Sequence, residues 1–385
     1  MDNFSYANPV KIIFGKDTIK EIENEIPKGK KILIIYGGGS IKRNGVYDQA
    51  TRALNSFEYY EFSGVEPNPH YETCMEAVTF IKEKNIDFLL AVGGGSVIDA
   101  TKFIAAASCF NGGDAWTILS EQKEIKSALP FGVILTLPAT GSEMNDGAVI
   151  TKAATKDKLS FGTPLVFPKF SVLDPQVTYS LPPRQIGNGV VDSFVHVVEQ
   201  YATYPNGSLL QNMMAEAIMK TLTIEGPRAL EEPENYDVRA NLMWASTWAL
   251  NKWIACGVVE DWSTHRIGHE LTALYGLDHG QTLAIVLPGV LTVMKKQKEE
   301  MILRLGEQVF GIYNNLSKEE RIDATIEGIE GFFEEMGVKT HLKDYGLGKE
   351  AVDAVANRIS ERDWKLGEHH NITGKEVKEI LTLRL

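Results

Sequence analysis

Apolar and polar positions follow two successive regimes along this chain. In the first, short β-rich apolar runs alternate with segments of helical periodicity. Lys31–Tyr36 (KILIIY) is such a run and stops at Gly37-Gly38-Gly39-Ser40, after which a helical pattern extends from Val46 to Leu54. A strand candidate (YYEFSGV) and a helical EAVTFIKEKN lead to a second apolar run, Asp87 to Val92 (DFLLAV), which stops at Gly93-Gly94-Gly95-Ser96. VIDATKFIAAAS continues as a helix and GVILTLPAT reads as another buried strand. Continuous apolar strands separated by helices predict a parallel sheet covered on both faces.

After Ser171-Val172-Leu173-Asp174-Pro175 the strands disappear and long helical patterns take over. Proline suits a first helical turn, so Pro182 and Pro183 are expected to open the first of these helices. The boundary is placed near Leu181, giving an α/β domain over residues 1–180 and an all-helical domain over 181–385. A length of 385 residues also favours two cores over one.

Composition narrows the partners. Apolar residues make up 44% and charged residues 23%, and the net charge is −12 with no basic block. Such a surface repels nucleic acid and anionic lipid, so neither is an expected partner. No stretch approaches the roughly 20 apolar residues of a membrane span. The N-terminus lacks a basic segment followed by an apolar run, so no signal peptide is expected. Cys74, Cys109 and Cys256 are odd in number and widely spaced, which argues against a disulfide framework and a cysteine-based zinc site. A reducing cytoplasm is the simplest compartment.

The two glycine loops carry the first chemical signal. Ligands of open α/β sheets sit beyond the carboxyl ends of the strands. Gly93 to Gly95 lies between a strand and a helix, where backbone amides and a helix N-terminus can cradle a pyrophosphate. Neither loop matches G-x-G-x-x-G, and a tight turn that binds nothing is the plain alternative. At the first loop, NAD-preferring sites usually place an acidic side chain near the ribose. Here the strand ends in glycines, with Ser40, Lys42 and Arg43 close behind, so NADP(H) is expected over NAD(H).

The second signal is a metal-ligand constellation. Four of eight histidines fall in VVDSFVHVVEQY and DWSTHRIGHELTALYGLDHG. Asp192 and His196 stand four apart on a helical segment and share a face, and His265 and His269 repeat that spacing. His279 follows Gly276 in a turn-rich stretch and can point back from a loop. An Asp in an apolar helix needs a partner, and one carboxylate with two or three imidazoles suits Zn²⁺ or Fe²⁺. Spacing alone leaves five candidate ligands, and Glu270 stands in the wrong place for H-E-x-x-H. Trp253, Ile254 and Trp262, just ahead of the histidines, read either as core or as the wall of an apolar substrate pocket.

These residues resemble the group III, iron-containing alcohol dehydrogenase family over essentially the whole chain. The resemblance is carried by GGGSVIDATK, TLPATGSEMN, Asp192-x-x-x-His196 and HRIGHELTALYGLDHG. YGGGSIKRNGVYDQ and DWSTHRIGHELTALYGLDHGQTLAIVLP look closest to the butanol dehydrogenase and broad-range aldehyde reductase branch. The resemblance implies a Rossmann-like dinucleotide-binding domain, then an all-α metal domain, in a dehydroquinate synthase-like architecture with the active site in the cleft between them. It implies Asp192, His196, His265 and His279 as metal ligands, with His269 near the nicotinamide and substrate as a proton-relaying catalytic residue. It places the dinucleotide against Gly38, Asn68, Gly95, Ser96, Thr136, Thr140, Ser142, Asn145 and Lys158, and Gly37, Gly39, Ser40, Gly94 and Asp99 of the glycine-loop segments are expected beside it. Gly38 stands where NAD-preferring relatives carry Asp. The expected activity is NADP(H)-linked hydride transfer to or from a small aliphatic aldehyde or alcohol, by a homodimer with one Fe²⁺ or Zn²⁺. The rival readings are a metal-dependent lyase or synthase on the same scaffold, a metallohydrolase, and a metal-binding sensor.

Overall fold

The apolar runs become the middle of a parallel sheet. The structure is a computed structural model describing residues 1–313 and 316–385. Its strands are β1 (Lys11–Phe14), β2 (Lys31–Tyr36), β3 (Glu58–Phe62), β4 (Phe88–Gly94), β5 (Phe131–Leu137), β6 (Gly147–Lys152), β7 (Asp157–Gly162) and β8 (Phe170–Leu173). Six of them form one sheet in the order β1-β8-β5-β4-β2-β3, every pair parallel. Alternate residues feed two cores. Leu33, Ile35, Leu89, Ala91 and Val133 pack on one face with helices Tyr71–Lys84 and Gly95–Cys109. Ile32, Ile34, Leu90, Val92 and Ile134 pack on the other with helix Val46–Ala53. Burial on both faces is why these strands read as unbroken apolar runs.

The strand order reverses between β2 and β4, which pair directly, Ile32 opposite Phe88 through Tyr36 opposite Val92. This is the switch point of an open α/β sheet, where ligands bind. Both glycine triplets leave the sheet there. The antiparallel β6–β7 hairpin stands apart from the six-stranded sheet, and it was not foreseen from the sequence.

The chain divides into two units, Ala7–Leu181 with Glu234–Thr247, and Met1–Tyr6 with Pro182–Pro233 and Trp248–Leu385. Most of helix Tyr236–Ala249 therefore belongs to the α/β unit. Met243 joins one of the sheet's cores, and the Thr247 hydroxyl donates to Glu143 Oε1 at 2.6 Å. The second unit is helical, and no named strand follows β8 among the described residues. The three cysteines are free. No described helix is long and apolar enough to cross a membrane.

One helical hairpin and a third helix carry the histidine motifs of the second unit. Helix Pro183–Tyr201 opens with Pro183 in its first turn, as the sequence implies. Helix Ser263–Tyr275 ends at Gly276, whose φ of 71° is the left-handed cap that glycine supplies without strain. Helix His279–Val293 starts at once, with Asp278 as its cap and the Asp278 amide donating to Gln281 Oε1 at 3.1 Å. His279 is therefore the first residue of a helix and not a loop residue, a correction to the sequence reading. The missed signal is D-H-G-Q, a cap followed three residues later by Gln.

Glycines let these helices meet closely. A Cβ at Gly280 would lie 2.6 Å from the Asn188 carbonyl oxygen, and one at Gly268 would lie 2.9 Å from Thr282 Oγ1. Gly280→Ala is therefore expected to push helix His279–Val293 away from helix Pro183–Tyr201. Overpacking of this kind costs about 1–3 kcal/mol, to be read from chemical unfolding of the variant, with metal content falling as His279 is displaced.

Candidate functional site

The metal candidates converge on one carboxylate oxygen. Asp192 Oδ1 lies 3.5 Å from His196 Nε2, 3.7 Å from His265 Nε2 and 3.7 Å from His279 Nε2. Those separations are near the ligand–ligand edge of a tetrahedral shell, which bond lengths of about 2.0–2.2 Å would give. Donor atoms of Asp192, His265 and His279 all lie within 4.8 Å of one another. The His196 and His265 rings stack with centroids 4.6 Å apart, and His279 lies edge-on to His265 at 5.1 Å. His269, one turn beyond His265, sits beside this group with its ring centroid 5.4 Å from His279 and 6.2 Å from His265.

Glu199 completes the arrangement, and the sequence reading missed it. Asp192, His196 and Glu199 recur at four- and three-residue spacing along one helical face. The Glu199 carboxylate accepts from His265 Nδ1 and from the Thr264 amide at 2.6 Å. It thus holds the ring with Nε2 turned to Asp192, and it caps the helix that carries His265. His265 Nε2 is buried with no hydrogen-bond partner. Such atoms are rare in native proteins, and a metal would satisfy this one. Burial pushes the Glu199 carboxyl up. Burial pushes His265 down, but Glu199 and Asp192 outweigh it and hold its pKa at about 9. Two buried carboxylates among imidazoles call for a compensating cation. The donor set therefore fits a divalent ion.

Buried supports fix the approach to His265. Lys298 Nζ lies 2.8 Å from Asp261 Oδ2 and 2.8 Å from Glu368 Oε2. Asp261 Oδ1 accepts from the Ser263 amide at 2.9 Å, and the Asp261 amide donates to the Glu199 carbonyl at 2.9 Å. Between them Trp262 is held at φ 62°, a left-handed conformation strained for such a side chain. Its ring lies 5.3 Å from His265 and 6.1 Å from His196. Trp253 instead packs on Tyr6 and Trp248, and Ile254 is buried. Asp278 is clamped by Arg184 Nε and Asn188 Nδ2, both at 2.8 Å, which ties the start of the His279 helix to the helix of Asp192.

In the α/β unit most of the expected dinucleotide residues form one connected group. Helix Gly95–Cys109 begins where β4 ends, with Gly94 as its cap. Ser96 Oγ accepts from the Asn68 amide at 3.3 Å, and Lys158 Nζ donates to Asn68 Oδ1 at 2.8 Å. Gly95 is dictated by packing, since a Cβ there would lie 2.5 Å from Thr140 Oγ1. Thr140 Oγ1 accepts from the Ser142 amide at 3.2 Å, and Asn145 Oδ1 accepts from the buried Lys102 at 2.8 Å. Asp99 takes the Ser142 hydroxyl at 2.6 Å and the Val149 amide at 2.8 Å, and burial pushes its carboxyl up. Thr136 is the penultimate residue of β5 and half-buried. Gly37 packs beneath the Val65 carbonyl, whereas Gly38 and Gly39 have nothing within 4 Å of a Cβ. Ser40 opens the short helix Ser40–Arg43. Lys42, expected to be available to a phosphate, is paired with Glu61 at 3.0 Å.

A parallel switch-point sheet suits a dinucleotide and a buried carboxylate–imidazole cluster suits a divalent ion, the pair of features expected of a metal-dependent, dinucleotide-linked oxidoreductase. The model of the family described as iron-containing alcohol dehydrogenase matches residues 9–175, and that of its C-terminal region matches 187–385. The chain is 53% identical to the NADPH-dependent aldehyde reductase YqhD of Escherichia coli K12 over 376 residues, 97% of each chain. It is 40% identical to a probable NADH-dependent butanol dehydrogenase of Bacillus subtilis, covering 100% of both. The crystal structure of Escherichia coli YqhD superposes with a TM-score of 0.98 at 51% identity, over 100% of this chain and 99% of that one. The chain belongs to the iron-containing alcohol dehydrogenase family.

Glu199 gives the site its sharpest test. Glu199→Gln removes the buried charge that orients His265, and losses of this kind cost about 10–100-fold in metal affinity. Competition with a chromophoric chelator should show that weakening while the helical circular dichroism is kept.

Proposed function

We propose that the protein is a cytoplasmic, homodimeric NADPH-dependent aldehyde reductase with the reverse alcohol dehydrogenase activity, acting on small aliphatic substrates. One Fe²⁺ or Zn²⁺ is held by Asp192, His196, His265 and His279. The observation that carries this reading is the approach of three imidazole Nε2 atoms to within 3.7 Å of one buried carboxylate oxygen. Family membership supports the reaction class, and the homodimer rests on the resemblance in the sequence.

When bound, the ion supplies Lewis acidity toward the substrate oxygen and the nicotinamide supplies the hydride. Asp192 contributes the charge that offsets a dication, and Glu199 keeps His265 in the tautomer that presents Nε2. His269, whose ring lies beside those of His265 and His279, passes a proton to the substrate oxygen as charge develops there. Trp262 walls the imidazoles and limits water around them.

In the α/β unit, the amides at Gly94 to Ser96 receive the pyrophosphate at a helix N-terminus. Lys158 adds a positive charge, and Asn68 fixes its direction. Gly38 supports NADP over NAD. Its φ is not left-handed and a Cβ would meet no neighbour, so neither backbone nor packing demands glycine there. The space suits a ribose 2′-phosphate, and the acidic side chain that would repel it is missing.

The decisive experiment is NADPH oxidation with a panel of aliphatic aldehydes by chelated enzyme re-supplied with Zn²⁺ or Fe²⁺. Turnover should require the metal, and metal-independent turnover would overturn the reading. Asp192→Ala should lose both metal and activity. His269→Ala should keep its metal while kcat falls about 10²–10⁴-fold, the usual contribution of a positioned acid–base group; loss of metal from that variant would make His269 a ligand.

A further inference from the structure

At the carboxyl ends of β2 and β3 lies a cluster that holds Lys42, one of the cations behind the first glycine loop. Glu61 sits on β3 opposite Ile34. Its carboxylate accepts from Tyr36 Oη at 2.8 Å, from Lys42 Nζ at 3.0 Å and from Tyr47 Oη. Lys42 Nζ also lies over both rings, 5.1 Å from the centroid of Tyr36 and 4.5 Å from that of Tyr47. Tyr36 is the residue before Gly37, and the Lys42 amide donates to the Gly39 carbonyl at 3.2 Å. The cluster is therefore built onto the first glycine loop.

Stability does not account for it. The Lys42 side chain is 45% exposed and that of Glu61 31%, and ion pairs at such exposure contribute about 0–1 kcal/mol. Three donors and two aromatic faces are more than a surface ion pair needs. Their effect is to restrain a flexible lysine and to neutralise a carboxylate at the edge of the sheet where ligands bind. Interaction with Tyr36 and the hydrogen bond that Lys42 donates to Glu61 raise the Lys42 pKa, so the ammonium stays charged.

We propose that Lys42, held over Tyr36 and Tyr47 by Glu61, selects the 2′-phosphate of the dinucleotide at the Gly37–Ser40 loop, with Glu61 as its positioning residue. This rests on the reading that the loop takes the adenosine ribose of NADP(H). An ammonium has three donors, so Lys42 can keep Glu61 and still meet a phosphate oxygen. Restraint before binding lowers the entropy lost when the phosphate fixes the side chain. Lys42 also neutralises Glu61, whose bare carboxylate would repel an anion bound at the same loop. Its removal thus penalises the 2′-phosphate twice: an attraction is lost and a repulsion uncovered.

The test is calorimetric binding of 2′,5′-ADP and 5′-ADP to the wild type, Lys42→Met, Glu61→Gln and the double variant. A charge-assisted hydrogen bond is worth about 1.5–3 kcal/mol, or roughly 10–100-fold. Lys42→Met should weaken 2′,5′-ADP by that factor, with 5′-ADP affected far less, which also reports an intact fold. Glu61→Gln should weaken 2′,5′-ADP by a smaller factor. The double variant should bind 2′,5′-ADP more tightly than Lys42→Met alone, because the uncovered charge is gone. Equal losses for both ligands, no loss in Lys42→Met, or no recovery in the double variant would overturn the proposal. A wild type that does not distinguish the two ligands would sink the cofactor reading itself, and this proposal with it.

Discussion

The helical unit depends on one electrostatic constraint, the burial of two carboxylates on a single face of helix Pro183–Tyr201. Asp192 and Glu199 are both under 5% exposed, in a helix whose residues from Gly189 to Tyr201 are all buried. Charges so placed cost several kcal/mol each unless they are compensated. The chain compensates them with what it brings close. Glu199 is met by the His265 ring and by the first amides of helix Ser263–Tyr275, where the positive end of the helix dipole adds to the attraction. Asp192 is met by three imidazoles. The caps, the Asp278 clamp and the glycine contact at Asn188 follow from the need to deliver those groups to fixed points.

The same logic explains the buried ion network behind the site. Lys298 is 1% exposed and contacts Asp261, Glu368 and the Ala202 carbonyl. Satisfied networks of this kind add little net stability but impose one geometry. Here the geometry imposed is the left-handed turn at Trp262, directly before the histidine helix. On the far side of that helix, Glu270 is gripped by Arg358 and Arg362. His265 and His269 are thus held from both sides, and preorganised ligands lose less on binding a metal or a substrate.

How much of this was legible follows from what each residue does locally. β2 and β4 were readable because strands buried on both faces carry unbroken apolar runs. β1 was not, since Lys11–Phe14 is four residues long with none of them buried. The β6–β7 hairpin was hidden by its lysines and aspartate. Asp192 and the histidines stood out as polar groups in apolar periodicity. Glu199, with the same spacing, escaped because a glutamate near the end of a helix has the bland reading of a solvated charge. His279 was assigned to a loop because Gly276 marks a helix end, while the cap at Asp278 that restarts the chain was overlooked. Lys42 shows the opposite limit. Sequence revealed a cation near the loop, but only the fold brings Glu61, nineteen residues later, against it.

The two candidate regions use different means of fixing position, and the difference matches the ligands proposed for them. A metal needs four donors placed within a fraction of an ångström, so its candidates stand on helices locked by caps and buried carboxylates. A dinucleotide is long and mostly polar, so its candidates are spread over strand ends, a helix start and loops, several of them joined by single hydrogen bonds. Gly95 is required by Thr140 whether or not a ligand is present, whereas Gly38 answers to no neighbour in the chain. That contrast separates a glycine required by packing from one that packing does not explain. The proposed selection of the cofactor by Lys42 and Glu61 lies beside the second kind of glycine, at the end of the first loop.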